Sequence, residues 1–299
     1  MFNNDVKQLL RESNEKLENL APGFLGRYPL DQYRGLLLTR NKFAGYREPG
    51  SGVKNLCNEI QEQIGNDLLG LYHLNLLIYL IAEFGQSHYS SFPESIQQQY
   101  KVEFKRIVSE LETNPPVWYS WDEDLFCKDL AVCCGRMFPS GCLKTEIHAG
   151  IPRSMFLKVK AVELPRLTAL IIRLGGLNPF FEIHLDIRYK SSFNPEGWAN
   201  SLRLVGQTLK HFPEARGITG ASWFFDPSIF TVSPRLSYLR QQIEKTGGVF
   251  FFAGSNERIV KLATSTSSTR KKLYEEGEYL PASFMTIWPR EKILEWLGQ

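Results

Sequence analysis

The residues most able to do chemistry are a histidine and an aspartate two positions apart in the segment FEIHLDI, at His184 and Asp186. The segment alternates apolar and polar residues, which is the period of a β-strand with one packed face. Side chains at i and i+2 of a strand share a face, so this pair is predicted to lie side by side. A histidine there can act as a general base that deprotonates an amine or a hydroxyl. A polar strand face that merely meets solvent or a helix has the same pattern, and the residues alone leave both interpretations open.

The same pair could supply two ligands of an iron site built from two histidines and one carboxylate. Such a site needs another histidine on a later strand, but His211 falls at the end of a predicted helix before Pro213. Glu146 and His148 in KTEIHAGI form a second histidine–carboxylate pair on one predicted strand face. We expect no metal, although the two pairs together leave a hydrolase or a metal-dependent enzyme open.

The segment YKSSFNPEG follows the FEIHLDI strand and is predicted to be a loop that leads into a helix. Asn194 suits the N-cap, Pro195 the first helical position, and Glu196 places an acid in the first turn. A helix N-terminus presents backbone N–H groups with a partial positive charge, so it can hold an anion. The residues predicted to surround such an anion are Lys190, Ser191, Ser192, Phe193 and Asn194.

A further strand is predicted in GITGASWFF, which ends at Asp226-Pro227. Ser222, Phe224 and Asp226 would share one face of it. Ser222 or Asp226 would then reach the cleft of His184 if the two strands are neighbours. Asp226 is better explained as a cap before proline.

The composition is that of a globular protein without a strong charge preference. The chain has 299 residues, of which 43% are hydrophobic and 22% charged, and its net charge is +3. That charge is too small for a nucleic-acid binder. The N-terminal segment is charged, unlike a signal peptide, and the apolar run at 68–82 is too short to cross a bilayer. We therefore expect a cytoplasmic protein that binds neither nucleic acid nor a membrane.

The cysteines are predicted to be free thiols packed on helices. There are five, an odd number, in a chain without a secretion signal, which argues against a disulfide framework. Three lie at Cys127, Cys133 and Cys134, but this spacing does not match a zinc site.

The pattern along the chain predicts a helical N-terminal domain at 1–140 and an α/β domain at 141–299. In the second domain we predict a mixed, mostly antiparallel sheet of about five to seven strands with flanking helices. Residues 180–187 and 217–225 should be neighbouring strands. Other predicted elements are a helix at 122–137, a strand at 155–164, helices at 165–174, 236–245 and 256–275, and strands in LKTEIHAGI, VFFFAG and SFMTIW.

Several segments resemble the GNAT-like C-terminal region of bacterial two-part N-acyltransferase proteins. They are FEIHLDI, NPEGWANSLRLVGQTLKHFP, ASWFFDPSIFTVSPRLSYLRQQIE and TSTSSTRKKLYEEGEYLPASFMTIWP. The front half, with DLFCKDLAVCCGRMFPSG and AGIPR, is similar to the helical N-terminal partner of that pair. One departure concerns the phosphate loop of the family, which is glycine-rich, whereas residues 188–196 contain no glycine before Gly197.

The resemblance implies transfer of an acyl group from acyl-CoA, or from an acyl carrier protein, to an amine of a small molecule. In that hypothesis His184 is the base, and Lys190 with the backbone N–H groups of 191–196 holds the pyrophosphate. Ser222 or Tyr238 protonates the leaving thiolate. The candidate catalytic residues are His184, Asp186, Ser222 and Tyr238.

Two alternatives belong to other classes of function. The fold could carry a different small-molecule enzyme, such as a hydrolase or a metal enzyme that uses the face of His184 and Asp186. It could also be a non-catalytic binding protein whose altered loop no longer holds CoA.

Overall fold

The computed structural model describes residues 3–113 and 119–298. The chain divides into two compact units, Met1–Ser140 and Gly141–Gln299. The first is mainly helical, and the second combines strands and helices. The described residues contain six strands, and the fold is a mixed α/β fold with a mostly antiparallel sheet. The fold class predicted from the sequence is thus confirmed.

The first unit contains seven helices and one strand among its described residues. They are α1 (Asn3–Leu20), α2 (Phe24–Arg27), α3 (Leu30–Leu38), α4 (Ser51–Ala82), α5 (Gln86–Ser90), α6 (Glu94–Ser109), α7 (Asp124–Cys133) and β1 (Met137–Ser140). A single 3-10 turn, Glu110–Glu112, extends α6.

Helix α4 is interrupted at Gly65, where φ is 70°. Glycine tolerates this conformation because it has no Cβ. The second half of α4 is buried on nearly all sides and forms the centre of the first unit.

Helix α4 is also long and apolar enough, by length and composition, to cross a membrane. Within its most apolar window, 67% of the residues are buried inside the fold. A core helix of a soluble protein has the same properties, so this helix alone is weak evidence for a membrane span.

His73 belongs to the buried aromatic core of the first unit. Its Nδ1 atom lies 2.6 Å from the carbonyl oxygen of Tyr119, and its ring stacks on Phe126 with 4.6 Å between centroids. Burial lowers the pKa of His73 to about 4.

The helix predicted at 122–137 ends early, at Cys133. Gly135 adopts a φ of 68°, and the N–H of Arg136 donates to the carbonyl of Ala131 at 2.8 Å. This is a glycine-terminated helix end. The residues that follow form β1 instead of a last helical turn.

The second unit alternates strands and helices. They are β2 (Leu143–Ala149), α8 (Met155–Lys158), α9 (Leu164–Arg173), β3 (Phe180–Leu185), α10 (Pro195–Leu209), β4 (Gly217–Ser222), α11 (Ile229–Val232), α12 (Tyr238–Lys245), β5 (Val249–Gly254), α13 (Glu257–Thr264), α14 (Ser268–Glu275), β6 (Ser283–Pro289) and α15 (Arg290–Leu297).

Five strands of the sheet lie in the second unit, in the order β2-β3-β4-β6-β5. Strands β3 and β4 run parallel, and the pairs β2–β3, β4–β6 and β5–β6 are antiparallel. The connection from β3 to β4 passes through α10, as a parallel pair requires. The prediction that 180–187 and 217–225 contain neighbouring strands is confirmed.

The sequence of helix α10 explains both where the helix begins and which of its faces is buried. Trp198, Leu202, Val205 and Leu209 recur at helical spacing and are all buried. The Asn194 side chain caps the helix, and Pro195 occupies its first turn. Local chemistry thus determines where the helix begins and which face it buries.

Three predicted elements differ from the structure. Residues 155–164 form α8 and a 3-10 turn, not a strand, because Met155 and Val159 reach the core at helical spacing. The strand at 217–225 ends at Ser222, and Trp223–Phe225 is a 3-10 turn, so Ser222, Phe224 and Asp226 do not share a strand face. The helix at 256–275 is two helices, because the Ser267 side chain caps a new one.

Candidate functional site

Strands β2 and β3 bring two glutamates and a histidine together. Glu146 is directly opposite Glu182 in the antiparallel register, and His184 lies two residues further along β3. His184 Nε2 is 3.7 Å from a carboxylate oxygen of Glu146. One potential ligand atom from each of the three side chains lies within 4.8 Å of the others.

Burial and neighbouring charges both act on the carboxyl group of Glu182 in this cluster. Burial raises the pKa of Glu182, and the Glu146 carboxylate raises it further, while the charge of His184 acts in the opposite direction. Two carboxylates that face each other across a strand pair repel, so a proton is retained more readily on one of them. The raised pKa means that the Glu182 carboxyl keeps its proton to a higher pH than an exposed glutamate does.

A β-bulge interrupts β2 next to the cluster. The register pairs Glu146 with Glu182 but Ala149 with Phe180, so β2 contains one extra residue between these pairs. The strict alternation predicted for Glu146 and His148 is wrong for this reason. Bulges are frequent beside active sites, where they redirect a side chain.

Asp186 lies just after β3, and its buried carboxylate is held by two cations. Its Oδ2 atom is 3.2 Å from Nζ of Lys144 and 2.7 Å from a guanidinium nitrogen of Arg188. Lys144 also lies over the ring of Tyr189, at 4.6 Å from the centroid. The pKa of Asp186 is lowered, because its hydrogen bonds with Arg188 and the charge of Lys144 outweigh burial. These contacts make Asp186 the anchor of the segment that follows.

The segment after Asp186 is not an open loop but 3-10 turns over Ile187–Ser192. The N–H of Phe193 donates to the carbonyl of Lys190 at 3.1 Å. The predicted anion-binding side chains of Lys190, Ser191, Ser192 and Asn194 are exposed, and Phe193 is half-buried. Four of the five candidates therefore lie at the surface.

The N-terminus of α10 is partly occupied by the protein itself. The Asn194 side chain accepts a hydrogen bond from the N–H of Gly197 at 2.9 Å, which confirms it as the N-cap. A Cβ on Gly197 would come within 2.0 Å of the carbonyl oxygen of Ser192. The glycine in the first turn thus accommodates the chain's own backbone.

Tyr238 ties α12 to this segment. Its hydroxyl donates to the carbonyl of Phe193 at 3.0 Å. Burial raises the pKa of Tyr238 to about 12. The ring of Phe193 contacts those of Trp198 and Phe224, so the segment rests on an aromatic cluster.

Ser222 ends β4, whose parallel neighbour is β3. In the described part of the chain, the aligned pairs of these strands are Phe181 with Ile218 and Glu182 with Thr219. Both His184 and Ser222 lie beyond the last aligned pair, at the carboxyl ends of the two strands. Such ends are frequent ligand sites in sheets that contain parallel strands.

Asp226 caps the chain after β4, as predicted. Its carboxylate accepts from the N–H groups of Ser228 at 2.9 Å and Ala282 at 3.0 Å.

Glu182 and Lys144 belong to the contacts around His184 and Asp186, but they were not candidates in the sequence analysis. Polar residues alternate in the same way in KTEIHA and FEIHLDI, which hints at two matching polar strand faces. Which polar residues face each other depends on the register of the two strands, and the sequence does not give it.

Comparison of the sequence with protein-family profiles and with curated proteins gives no match. Comparison with solved structures finds acyltransferases. One, in complex with CoA and 10C-teicoplanin, is 10% identical, with a TM-score of 0.51 over 91% of this chain and 80% of its own. A mutant acyltransferase in complex with octanoyl-CoA is 11% identical, with a TM-score of 0.51 over 96% and 88%. A third, with decanoyl-CoA, has a TM-score of 0.47, and this chain spans 66% of its length. At such low identity the first two likenesses support the fold alone.

Proposed function

We propose that the protein is a GNAT-like N-acyltransferase that moves an acyl group from acyl-CoA, or from an acyl carrier protein, to an amine of a small molecule. The observation that carries this proposal is His184, with Glu146 beside it, at the carboxyl end of a strand that runs parallel to β4. The fold likeness to acyltransferases crystallised with CoA and octanoyl-CoA supports it by analogy.

In the proposed reaction the amine nitrogen attacks the thioester carbonyl, and the imidazole of His184 takes the proton that the nitrogen loses. The new C–N bond replaces the C–S bond, and CoA leaves as a thiolate. The Glu146 carboxylate, 3.7 Å from Nε2 of His184, would hold the imidazole in place and face the positive charge that develops on it during the reaction. Glu146 would thus be a positioning residue that acts through His184.

The leaving thiolate needs a proton, for which Ser222 and Tyr238 are the candidates. The hydroxyl of Tyr238 donates a hydrogen bond to the carbonyl of Phe193, and it must break this bond before it can protonate the thiolate. Its raised pKa keeps the phenol protonated at neutral pH. Ser222 and His184 lie on neighbouring strands, since each follows the aligned part of β4 or β3, whereas Tyr238 belongs to α12.

The pyrophosphate of CoA is proposed to bind at the 190–196 segment and the N-terminus of α10. The exposed Lys190 supplies a positive charge, and the helix N-terminus supplies a favourable dipole. Two backbone donors, Phe193 and Gly197, are used within the protein, which leaves fewer N–H groups for an anion than a glycine-rich loop provides.

The test is binding and turnover with octanoyl-CoA on the full chain. Calorimetry should show binding, and release of CoA thiol in the presence of a panel of small amines should depend on His184. His184→Gln should retain binding but lower turnover by about 10²–10⁴-fold. His211→Gln, an exposed histidine outside the cluster, is the matched control. Absence of binding to CoA thioesters overturns the proposal, and turnover that is unchanged in His184→Gln overturns the role of His184 as its base.

One observation favours a second candidate, a metal-dependent enzyme on the same fold. Glu146, Glu182 and His184 offer one nitrogen and two carboxylates, a donor set that suits divalent zinc, iron or manganese. Metal analysis of the purified protein decides between the two. Stoichiometric metal that is lost in Glu146→Gln would favour this candidate over a base-catalysed acyl transfer.

A further inference from the structure

The segment 152–166 links β2 to α9 and has one face fixed in the core. Met155 and Val159 are buried, together with Leu167 of α9, in a hydrophobic cluster with residues of β3, β5 and β6. The turns that carry the segment, α8 and Ala161–Glu163, are each a single turn long. The inner side of the segment is therefore held by the core of the second unit.

The outer side of the same segment is strongly apolar. Leu157 is 89% exposed and Val162 is 84% exposed, the two largest values among the exposed large hydrophobic residues of the described chain. Ala161, Leu164 and Pro165 are exposed next to them. Exposed apolar residues are thus concentrated within a short stretch of the chain, and concentrated apolar surface is typical of interaction sites.

The charges around these side chains have one sign. The exposed charged residues of the segment are Arg153, Lys158, Lys160 and Arg166, and the one acid, Glu163, is half-buried. The whole chain, in contrast, is nearly balanced, with 35 basic and 32 acidic residues. The segment is thus a local concentration of positive charge that surrounds exposed aliphatic side chains.

We propose that this segment docks the protein on the surface of an anionic lipid bilayer. Aliphatic side chains enter the headgroup region while lysine and arginine remain with the phosphates, which is how interfacial segments bind. A protein partner fits less well, because protein interfaces are depleted in lysine and enriched in aromatic residues, and no aromatic side chain of this segment is exposed. This inference is independent of the proposed chemistry, and it replaces the expectation that the protein binds no membrane.

Co-sedimentation of the full chain with vesicles tests the proposal. Vesicles of phosphatidylcholine with about 30% phosphatidylglycerol should bind the protein, and vesicles of phosphatidylcholine alone should bind it far less. Lys158→Gln/Lys160→Gln should weaken binding by roughly tenfold or more, because each lysine contributes near an anionic surface. Leu157→Ser/Val162→Ser should weaken it by roughly tenfold as well, since two apolar side chains no longer insert.

The matched controls lie elsewhere on the second unit. Leu280→Ser removes a leucine that is 69% exposed, and Lys271→Gln/Lys272→Gln removes two exposed lysines from α14. Both controls should bind vesicles like the unmodified protein, and all variants should keep its melting temperature. The proposal is overturned if the protein does not bind vesicles, or if test and control variants lose binding equally. It is also overturned if Lys158→Gln/Lys160→Gln weakens binding but Leu157→Ser/Val162→Ser does not. If the protein binds no vesicles but binds an acidic protein, and the variants of this segment abolish that binding, the proposal is overturned and the surface belongs to a protein partner.

Discussion

Lys144 and Asp186 form an ion pair with 3.2 Å between nitrogen and oxygen, and both side chains are fully buried. A buried charge that loses its partner is strongly destabilising. Asp186→Asn should therefore lower the free energy of unfolding by about 3 kcal/mol. Arg188→Gln should cost less, because Arg188 is partly exposed and Lys144 keeps its partner. Urea denaturation compares the two variants, and equal losses would contradict the role of Asp186 as the anchor of the segment.

The contact of Gly197 with the Ser192 carbonyl predicts a second difference in stability. Gly197→Ala should destabilise by about 1–3 kcal/mol, because a backbone atom must move to admit the Cβ. Gly206, in the same helix, faces side-chain methyl groups of Ile293 and Leu297 at 2.9 and 3.0 Å from an added Cβ, and no backbone atom lies as close. Gly206→Ala should cost less than Gly197→Ala, because side chains rather than the backbone must move and alanine has the higher helix propensity. Thermal unfolding with a similar loss in both variants would show that the Ser192 carbonyl is not a constraint.

The N-cap of α10 allows a test of the helix start alone. Asn194→Ala should cost about 1 kcal/mol of stability, whereas Asn194→Ser should restore most of it, because serine can accept the same hydrogen bond. Chemical denaturation measures both. A loss in the serine variant as large as in the alanine variant would assign the effect to another contact of the asparagine.

Burial of His73 predicts a dependence of stability on pH. The folded-state pKa is about 4, below the ordinary value of 6.5, so between these values the unfolded state binds more protons. The contribution is complete above about pH 6.5 and is lost as the pH falls towards 4, by up to about 3 kcal/mol. His73→Gln should flatten the stability curve between pH 4.5 and 7 relative to the unmodified protein. Parallel curves for the two proteins would show that His73 is not the group responsible.

Burial of Glu182, with Glu146 opposite it, predicts a stabilising substitution. Because the pKa of Glu182 is raised in the folded state, its contribution to stability falls as the pH rises above 4.5. Glu182→Gln should thus stabilise the protein at pH 7, by on the order of 0.5–1 kcal/mol, and by less at pH 4. Glu214→Gln, an exposed acid, is the control and should change little. A gain that does not vary with pH would argue against a raised pKa of Glu182 in the folded protein.

Local chemistry explains which parts of the fold could be predicted. Asn194 and Pro195 mark the start of α10 because capping depends on a few consecutive residues. The segment 155–164 misleads, because Leu157 stands between Met155 and Val159 in an apolar alternation although it faces solvent. A period-2 pattern predicts a strand only if its apolar residues are buried.

The candidate site was only half predictable for a different reason. His184 stands out by residue type, but its neighbour Glu146 is 38 positions earlier in the numbering of the chain. Their contact depends on the register of β2 against β3 and on the bulge before Ala149, which are properties of strand pairing rather than of either segment.

The segment after β3 is tied down at three places: by the ion pairs of Asp186, by the hydroxyl of Tyr238, and by the Asn194 side-chain amide, which donates to the carbonyl of Ser191 at 3.0 Å. A segment fixed in this way has little conformational entropy left to lose when a molecule binds beside it. Ordering a mobile side chain on binding costs about 0.5–1.5 kcal/mol, and much of that cost is avoided here. Association at this edge of the sheet should accordingly be a single fast step without a slow rearrangement, and its rate should depend on encounter rather than on loop closure.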